Sequence, residues 1–215
     1  MKFFIGTTNP YKIREIGTIL SATGCEFEPT EPIDPEETEE DFVGNAMIKV
    51  KAYAKHAGGL TISEDSGLLV SAINNLPGPW SARFSECVLD NLRVVGMRKS
   101  KKSREEIDRE NNLRVLELMR EIPHPYRAAM FKVVLLVANP DGVLFRGDGE
   151  SFGWIAEDIR GENGFGYDPI FIGGDTFGKT YAELDSVRKN MRSHRRRVLQ
   201  EFKGWLARFI KEGNP

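Results

Sequence analysis

Two adjacent carboxylates, Glu64 and Asp65, stand between two short apolar runs, Leu60–Ile62 and Leu68–Val70. Like charges at this spacing repel each other, and moving them out of water costs free energy. A bound cation removes both penalties, and carboxylate oxygens suit a hard ion such as Mg²⁺. Gly67 allows the backbone to turn sharply or to approach a ligand closely. The stretch therefore predicts a metal-binding site or, if it lies in water, a plain solvated turn.

Composition limits the class of protein. The chain has 215 residues, enough for one domain of two lobes, and its 40% hydrophobic and 29% charged residues are typical of a soluble globular protein. A net charge of −2 argues against a general nucleic-acid-binding role. Cys25 and Cys87 lack the short spacing of redox or metal pairs, which favours two free thiols in a reducing cytoplasm. No apolar run is long enough to span a membrane, so we expect no membrane partner.

The first connection between a strand and a helix carries a candidate anion site. Residues 2–8 predict a strand, and Asn9 predicts the N-cap of a helix with Pro10 in its first turn. Hydroxyl groups, helix-terminal N–H groups and the cation of Lys12 meet there, which suits a bound phosphate. Helix capping alone explains the same residues equally well, and both interpretations stay open. The loop consists of Thr7, Thr8, Asn9, Pro10, Tyr11 and Lys12.

A second helix is predicted from about Glu39 to Ala57, after an acidic, proline-containing loop at 31–41. Asn45 and Lys49 are four residues apart and share one face of that helix. Lys49 would either point toward a phosphate group or belong to a solvated stripe. The apolar runs on either side of the two carboxylates predict strand pieces, which places the carboxylates at a strand end or in a hairpin.

The second half of the chain predicts one long helical region and several strands. Residues 90–120 predict mainly helix. Ser193 predicts the N-cap of a final helix whose buried face includes Val198, Phe202 and Trp205 or Leu206. The strands are predicted at 127–138, 143–146, 152–156 and 169–172. This order of elements predicts an α/β fold with a mixed sheet flanked by helices.

A glycine-rich loop, Gly161–Asp168, carries two aromatic rings. Gly164 and Gly166 allow tight backbone turns, and the ring of Phe165 is suited to stacking on a nucleobase. Arg195 lies in the first turn of the final helix, where the helix dipole disfavours a cation. A ligand-binding role for Arg195 therefore competes with plain exposure of the basic residues there.

Gly173–Thr180 matches the P-loop pattern G-x-x-x-x-G-K-[ST]. The match occurs late in the chain and precedes only a short predicted helix, so we interpret it as accidental. One rival hypothesis is nevertheless a P-loop NTPase that uses Lys179. The basic run at 98–102 predicts a solvated surface. A second rival hypothesis is a nucleotide- or RNA-binding module without turnover, which would use that run and Arg195–Arg197.

Five segments in this order resemble the inosine/xanthosine triphosphate pyrophosphatases, a family also called Ham1-like or non-standard purine nucleotide pyrophosphatases. Each segment alone is weak, but together they cover the chain nearly end to end and are highly specific. Their limits are 7–12, 42–49, 64–83, 164–169 and 179–195. The resemblance implies a single domain over residues 1–215, with an elongated mixed sheet, two lobes, a substrate cleft between the lobes and usually a homodimer.

The resemblance also implies an activity, which is Mg²⁺-dependent hydrolysis of ITP, dITP and XTP to the monophosphate and pyrophosphate. Asp65 would be the catalytic base and a metal ligand, with Glu37 and Glu64 as further metal carboxylates. Phosphates and sugar would be held by Lys12, Lys49, Ser66 and Lys189, together with the 7–12 loop. The purine would be surrounded by Phe165, Gly166, Tyr167, Asp168, His194 and Arg195. Because no side chain is a persuasive covalent nucleophile, direct attack by water is the simplest mechanism.

Overall fold

The computed structural model of the chain describes residues 1–98 and 100–213. Its helices are α1 (Pro10–Leu20), α2 (Phe42–Ala57), α3 (Arg104–Leu118), α4 (Ser186–Asn190) and α5 (His194–Lys211). Its strands are β1 (Lys2–Ile5), β2 (Glu26–Pro29), β3 (Thr61–Val70), β4 (Leu76–Pro77), β5 (Cys87–Asp90), β6 (Arg93–Met97), β7 (Ala128–Asn139), β8 (Gly142–Ile155) and β9 (Phe171–Gly173). Within these described ranges, no helix combines the length and the apolar character needed to cross a membrane.

The main sheet is mixed, as the sequence predicts. Its strands follow the order β2-β1-β3-β7-β8-β9, and β4 pairs with β3. Strand β1 runs parallel to both β2 and β3, whereas β8 and β9 are antiparallel. Strands β5 and β6 form a separate two-stranded sheet. The predicted α/β class, with a mixed sheet and flanking helices, is confirmed.

The chain divides into two compact units. The first unit consists of Met1–Asp65, Val133–Glu150 and Ser193–Pro215, and the second of Ser66–Lys132 and Ser151–Arg192. Each unit has its own hydrophobic core, as the separate clusters of buried side chains show.

The core of the first unit is built from amphipathic helices and aromatic rings. Helix α5 buries Val198, Phe202 and Leu206, while Trp205 stays half-buried. The ring of Phe3 lies between two others, 5.3 Å from Phe27 and 5.8 Å from Phe202 between centroids. Of the two alternatives left open for the buried face of α5, Leu206 is therefore the more deeply buried.

The second unit buries a separate set of aromatic and aliphatic side chains. Phe131 and Phe171 pack with their ring centroids 4.5 Å apart. Gly67 lies inside β3, where a Cβ atom would stand 2.3 Å from the Ser81 hydroxyl, so glycine serves close packing at this position. Arg127 is 3% exposed, and its guanidinium donates to backbone carbonyls at the end of α3 and beyond β8. The accepting residues are Met119, Ile122, Ile155 and Ala156.

Three predicted element boundaries are wrong. The two carboxylates lie in the middle of the ten-residue strand β3, not at a strand end or in a hairpin. The predicted helix over 90–120 begins only at Arg104, because Asn91 and Leu92 adopt positive φ and close the β5–β6 hairpin before it. The segments 143–146 and 152–156 belong to one strand, β8.

The basic run at 98–102 is only partly described, since Lys99 lies outside the described residues. Within the run, Ser100 hydrogen-bonds the Glu86 carboxylate. The ammonium of Lys102 lies 2.6 Å from the Glu110 carboxylate. These exposed contacts agree with a solvated surface.

The two thiols differ in accessibility, which yields a prediction. Cys87 is 4% exposed and burial raises its pKa to about 11, whereas Cys25 is half-buried. At about pH 8 only roughly one Cys87 thiol in a thousand would be ionised. We expect native protein to release one equivalent of thionitrobenzoate rapidly from Ellman's reagent, and a second only after unfolding. Rapid labelling of a native Cys25→Ser variant would contradict this expectation.

Candidate active site

Asp65 lies on β3 beside a lysine from α2. The ammonium of Lys49 stands 2.6 Å from Oδ1 of Asp65 and 3.2 Å from Oε1 of Glu37. Asp65 is 5% exposed and Lys49 is 9% exposed, so this ion pair is buried, while Glu37 reaches it from the acidic loop before α2. The structure thus brings three of the predicted site residues together in the first unit.

The electrostatics of this cluster favour a charged lysine and a basic carboxylate. Burial raises the pKa of Asp65 above its usual value, although attraction to Lys49 and Lys12 opposes the rise. Burial lowers the pKa of Lys49, but Asp65 and Glu37 more than reverse that effect, so its pKa lies above the usual value. Lys49 therefore stays protonated near neutral pH, and its charge favours the ionised form of Asp65.

One oxygen of Asp65 has no partner in the described protein. Oδ1 accepts a hydrogen bond from Lys49, whereas Oδ2 is buried and makes no hydrogen bond. A buried carboxylate oxygen without a partner is costly, and a hard divalent cation is a suitable ligand for it. The carboxylate of Glu37 beside the same lysine adds a second oxygen donor. This donor set fits a divalent metal ion.

Two side chains of α2 hold the acidic loop that carries Glu37. The Asn45 side chain accepts a hydrogen bond from the backbone N–H of Glu39 and donates one to its carbonyl oxygen, both at 3.0 Å. The Tyr53 hydroxyl donates to the carbonyl oxygen of Ile33 at 2.8 Å. Glu37 lies between these two attachment points, which limits the positions its side chain can reach.

Glu64 belongs to a different cluster, because successive side chains of a strand point to opposite faces. Both of its oxygens accept hydrogen bonds from Arg195, at 2.8 Å and 2.7 Å. Lys12 lies 3.3 Å from Glu64, and Glu15 accepts a further hydrogen bond from Arg195. Two carboxylates and two cations of α1, β3 and α5 thus form a buried, charge-balanced network.

The network favours the charged forms of Glu64 and Arg195. Burial alone would raise the pKa of Glu64, but Arg195 and Lys12 hold it well below its usual range. Desolvation lowers the pKa of Lys12 more than Glu64 raises it, so the pKa of this half-buried lysine lies below its usual value. The 1% exposed guanidinium of Arg195 is committed to carboxylates, which favours a structural role over direct contact with a nucleobase.

These contacts bear on the predicted metal ligands. Among residues 1–98 and 100–213, no group of three or more acidic, histidine or cysteine side chains could together hold a metal ion. Asp65 and Glu37 meet at Lys49, while both oxygens of Glu64 are engaged elsewhere. The metal-ligand role of Glu64 stays a prediction, and its contacts do not support it.

The loop between β1 and α1 has the predicted N-cap. The side chain of Asn9 accepts hydrogen bonds from the N–H groups of Tyr11 and Lys12, and Thr7 accepts from Asn9 itself. Thr8 and Pro10 are exposed. Capping therefore uses part of the donor capacity of this helix end, and Lys12 supplies the cation next to it.

The predicted purine-binding loop lies in the second unit. The N–H of Phe165 donates to Oδ2 of Asp168 at 2.8 Å, and the ammonium of Lys189 lies 2.5 Å from the same oxygen. Lys189 also stands over the half-buried Phe165 ring, 4.5 Å from its centroid. The structure thus joins Phe165, Asp168 and Lys189, all of which the sequence singled out.

Other predicted binding residues have structural contacts. The Tyr167 hydroxyl is buried and donates to the backbone carbonyl of Ser81 at 2.9 Å, which anchors the loop. Ser66 follows Asp65 on β3 and is half-buried. His194 is 6% exposed in the first turn of α5. The substrate-binding roles of these residues stay predictions.

The P-loop-like segment does not have the structure of a phosphate-binding loop. Strand β9 ends at Gly173, and the segment closes with Thr180, which pairs with Ile172 in an isolated bridge. Thr180 is fully buried and its hydroxyl donates to the carbonyl of Arg160, so it is not placed to bind a metal–phosphate complex. A three-residue 3₁₀ turn follows in place of a long helix. The P-loop hypothesis has no support.

Comparisons with known proteins agree with the resemblance. The sequence pattern of the Ham1 family matches residues 3–205. A dITP/XTP pyrophosphatase of Aquifex aeolicus is 36% identical over 202 residues, and the match covers 94% of this chain and 94% of the relative. A dITP/XTP pyrophosphatase of Desulforamulus reducens is 34% identical, and the match covers 94% of this chain and 93% of the relative. A HAM1 protein of Coxiella burnetii superposes with a TM-score of 0.76 at 30% identity, over 97% of this chain and 99% of its own. The chain belongs to the Ham1 family.

Sequence reasoning missed several residues that organise these clusters. Glu15 falls three residues after Lys12 on the buried face of α1, and an acid at such a position is a signal for a buried ion pair. Asn45 was noticed only for sharing a face with Lys49. Asp108 and Asn112 carried no recognisable signal, because their partners on Gly166 are backbone groups distant in sequence.

The buried network predicts a large stability effect at Arg195. Replacing Arg195 with Ala leaves two buried carboxylates without their main partner, which we expect to cost about 3–5 kcal/mol. The exposed Arg197, two residues later in the same turn of α5, serves as the matched control, and Arg197→Ala should change stability by no more than about 0.5 kcal/mol. Urea unfolding followed by circular dichroism measures both. Equal stabilities of the two variants would contradict the structural role of Arg195.

Proposed function

We propose that this chain hydrolyses non-standard purine nucleoside triphosphates, namely ITP, dITP and XTP, to the monophosphate and pyrophosphate. Membership of the Ham1 family and the dITP/XTP pyrophosphatase activity named for its relatives support this proposal. The single observation that carries it is the buried Asp65, paired through one oxygen with Lys49 and unpartnered at the other.

Asp65 and Glu37 would hold the divalent ion, which we propose to be Mg²⁺. Their hard oxygen donors match the preference of that ion, and Oδ2 of Asp65 has no protein partner to lose. When bound, the ion supplies positive charge that offsets the charge of the phosphate oxygens. Lys49 holds the two carboxylates together at its ammonium group, so it orients the ligands.

Asp65 is also the proposed general base. A carboxylate whose pKa is raised by burial accepts a proton more readily than an exposed one, and Lys49 keeps it ionised until then. The proton comes from the water that attacks the phosphorus atom, and the leaving group is pyrophosphate.

Binding of the substrate is assigned to the cations and the aromatic ring. The buried Lys49 and the half-buried Lys12, both in the first unit, are cations that suit phosphate oxygens. Phe165 suits stacking on any purine, with Lys189 over its ring. Further proposed contacts are made by Thr7, Thr8, Asn9, Ser66, Gly166 and His194.

The proposal extends to assembly and location. We propose a homodimer in the cytoplasm, as the resemblance to the family implies. The two free cysteines support a reducing compartment, since neither Cys25 nor Cys87 is in a disulfide.

The identity of the products tests the proposed function. Purified protein incubated with ITP and Mg²⁺ should release pyrophosphate and IMP, whereas a P-loop NTPase would release orthophosphate and a non-catalytic module would release neither. Lys12→Ala should reduce the rate more than Lys179→Ala, because Lys12 is half-buried beside Glu64 and Lys179 is exposed. Orthophosphate as the first product would overturn the proposal, and so would the absence of any product.

A further inference from the structure

Both polar groups of the Gly166 peptide are bound by side chains of α3. The backbone N–H of Gly166 donates to Oδ2 of Asp108 at 3.0 Å, and its carbonyl oxygen accepts from Nδ2 of Asn112 at 2.7 Å. Asp108 and Asn112 are four residues apart, so they lie one above the other on a single helix face. One turn of α3 therefore binds the two peptide groups on either side of the Gly166 Cα atom.

The two side chains are specialised for this contact. Asn112 is 2% exposed, and its amide also donates to the backbone carbonyl of Asp108 at 2.7 Å. The second oxygen of Asp108 lies 3.0 Å from the guanidinium of Arg104, one turn earlier. Burying an amide and a carboxylate against a loop is costly unless they are well bonded. Hydrophobic residues at 108 and 112 would provide packing but would leave the Gly166 peptide unsatisfied.

Phe165 is the residue that this arrangement constrains. Its own N–H is held by Asp168, and the peptide that follows it is held by α3. Gly164, just before it, has a φ of +78°, and a Cβ atom there would stand 2.0 Å from the Asp168 carboxylate. The backbone on both sides of Phe165 is thus fixed, and the direction of its ring follows from the backbone and from Lys189 above it.

We propose that Asp108 and Asn112 are positioning residues that hold Phe165 in the orientation required for stacking on the purine. They do not contact the substrate themselves. The inference rests on the proposed function, since it assumes that Phe165 binds the base of a nucleoside triphosphate. Helix α3 then contributes to substrate affinity through its hold on the 164–168 loop.

If Asp108 and Asn112 position Phe165, their loss should weaken binding of a ligand that has a base and not of one that has none. Asp108→Ala and Asn112→Ala should each raise the KM for ITP about fivefold to tenfold, near the lower end of the effect of losing a stacked base. The kcat should change less than about twofold, because stacking is equal in the ground and transition states. Inhibition by inorganic tripolyphosphate, which has no base, should be unchanged. A general loss of structure would change the KM for ITP and the inhibition by tripolyphosphate together.

Two control variants separate positioning from other effects. Asp108→Asn keeps an acceptor oxygen for the Gly166 N–H and should restore a KM near that of the wild type. Glu105→Ala removes the same charge from an exposed position on α3 and should leave both constants unchanged. If Asn112→Ala does not fold, the comparison of the KM values of Asp108→Ala and Asp108→Asn still tests the positioning role. Circular dichroism checks that both variants are folded.

A double-mutant cycle with Phe165→Ala gives the sharpest test, because a residue that acts through Phe165 has no effect once that ring is gone. Asp108→Ala should then raise the KM for ITP no further in the Phe165→Ala background. A multiplicative effect in that background overturns the inference, as does an unchanged KM in Asp108→Ala when Phe165→Ala alone raises it. An unchanged KM in Phe165→Ala itself overturns both the stacking role and the inference. Failure of the wild type to release pyrophosphate is the separate failure of the proposed function.

Discussion

The buried ion pair between Glu64 and Arg195 is the interaction on which the first unit depends. It joins the middle of β3 to the start of α5, and Glu15 and Lys12 extend it to α1. Because neighbouring side chains of a strand face opposite ways, fixing Glu64 on one face also fixes Asp65 on the other. Glu64 is thereby bonded to Arg195 and Lys12, whereas Asp65 is bonded to Lys49, and we propose that only Asp65 takes part in the chemistry.

Both candidate binding loops are held by helix side chains that bind a backbone peptide. In the first unit Asn45 binds the N–H and the carbonyl of Glu39, near Glu37. In the second, Asp108 and Asn112 do the same for Gly166, next to Phe165. Ligand-binding residues often lie on loops, and hydrogen bonds to a rigid helix fix the position of the loop backbone.

Local chemistry in the sequence predicted much of this structure. The N-cap at Asn9, the amphipathic face of α5 and the importance of the Glu64–Asp65 pair follow from short-range patterns. The continuous strand β3 was not predicted, because its polar centre is buried by pairing with strands distant in sequence. For the same reason the sequence gives no sign of the bond between Arg195 and Glu64, which are 131 positions apart in the chain. The base-binding role of Arg195 stays a prediction that its contacts do not support.

The different roles proposed for Asp65 and Glu64 of β3 can be tested by comparing the metal affinities of the Asp65→Asn and Glu64→Gln variants. Each variant is titrated with Mn²⁺ as a probe of the metal site, and binding is followed by electron paramagnetic resonance. The account predicts that Asp65→Asn weakens metal binding at least about tenfold and lowers turnover of ITP at least about a hundredfold, while the fold survives. It predicts that Glu64→Gln keeps the metal affinity of the wild type but unfolds at lower urea concentration. Loss of metal binding in Glu64→Gln, equal to that in Asp65→Asn, would contradict the account.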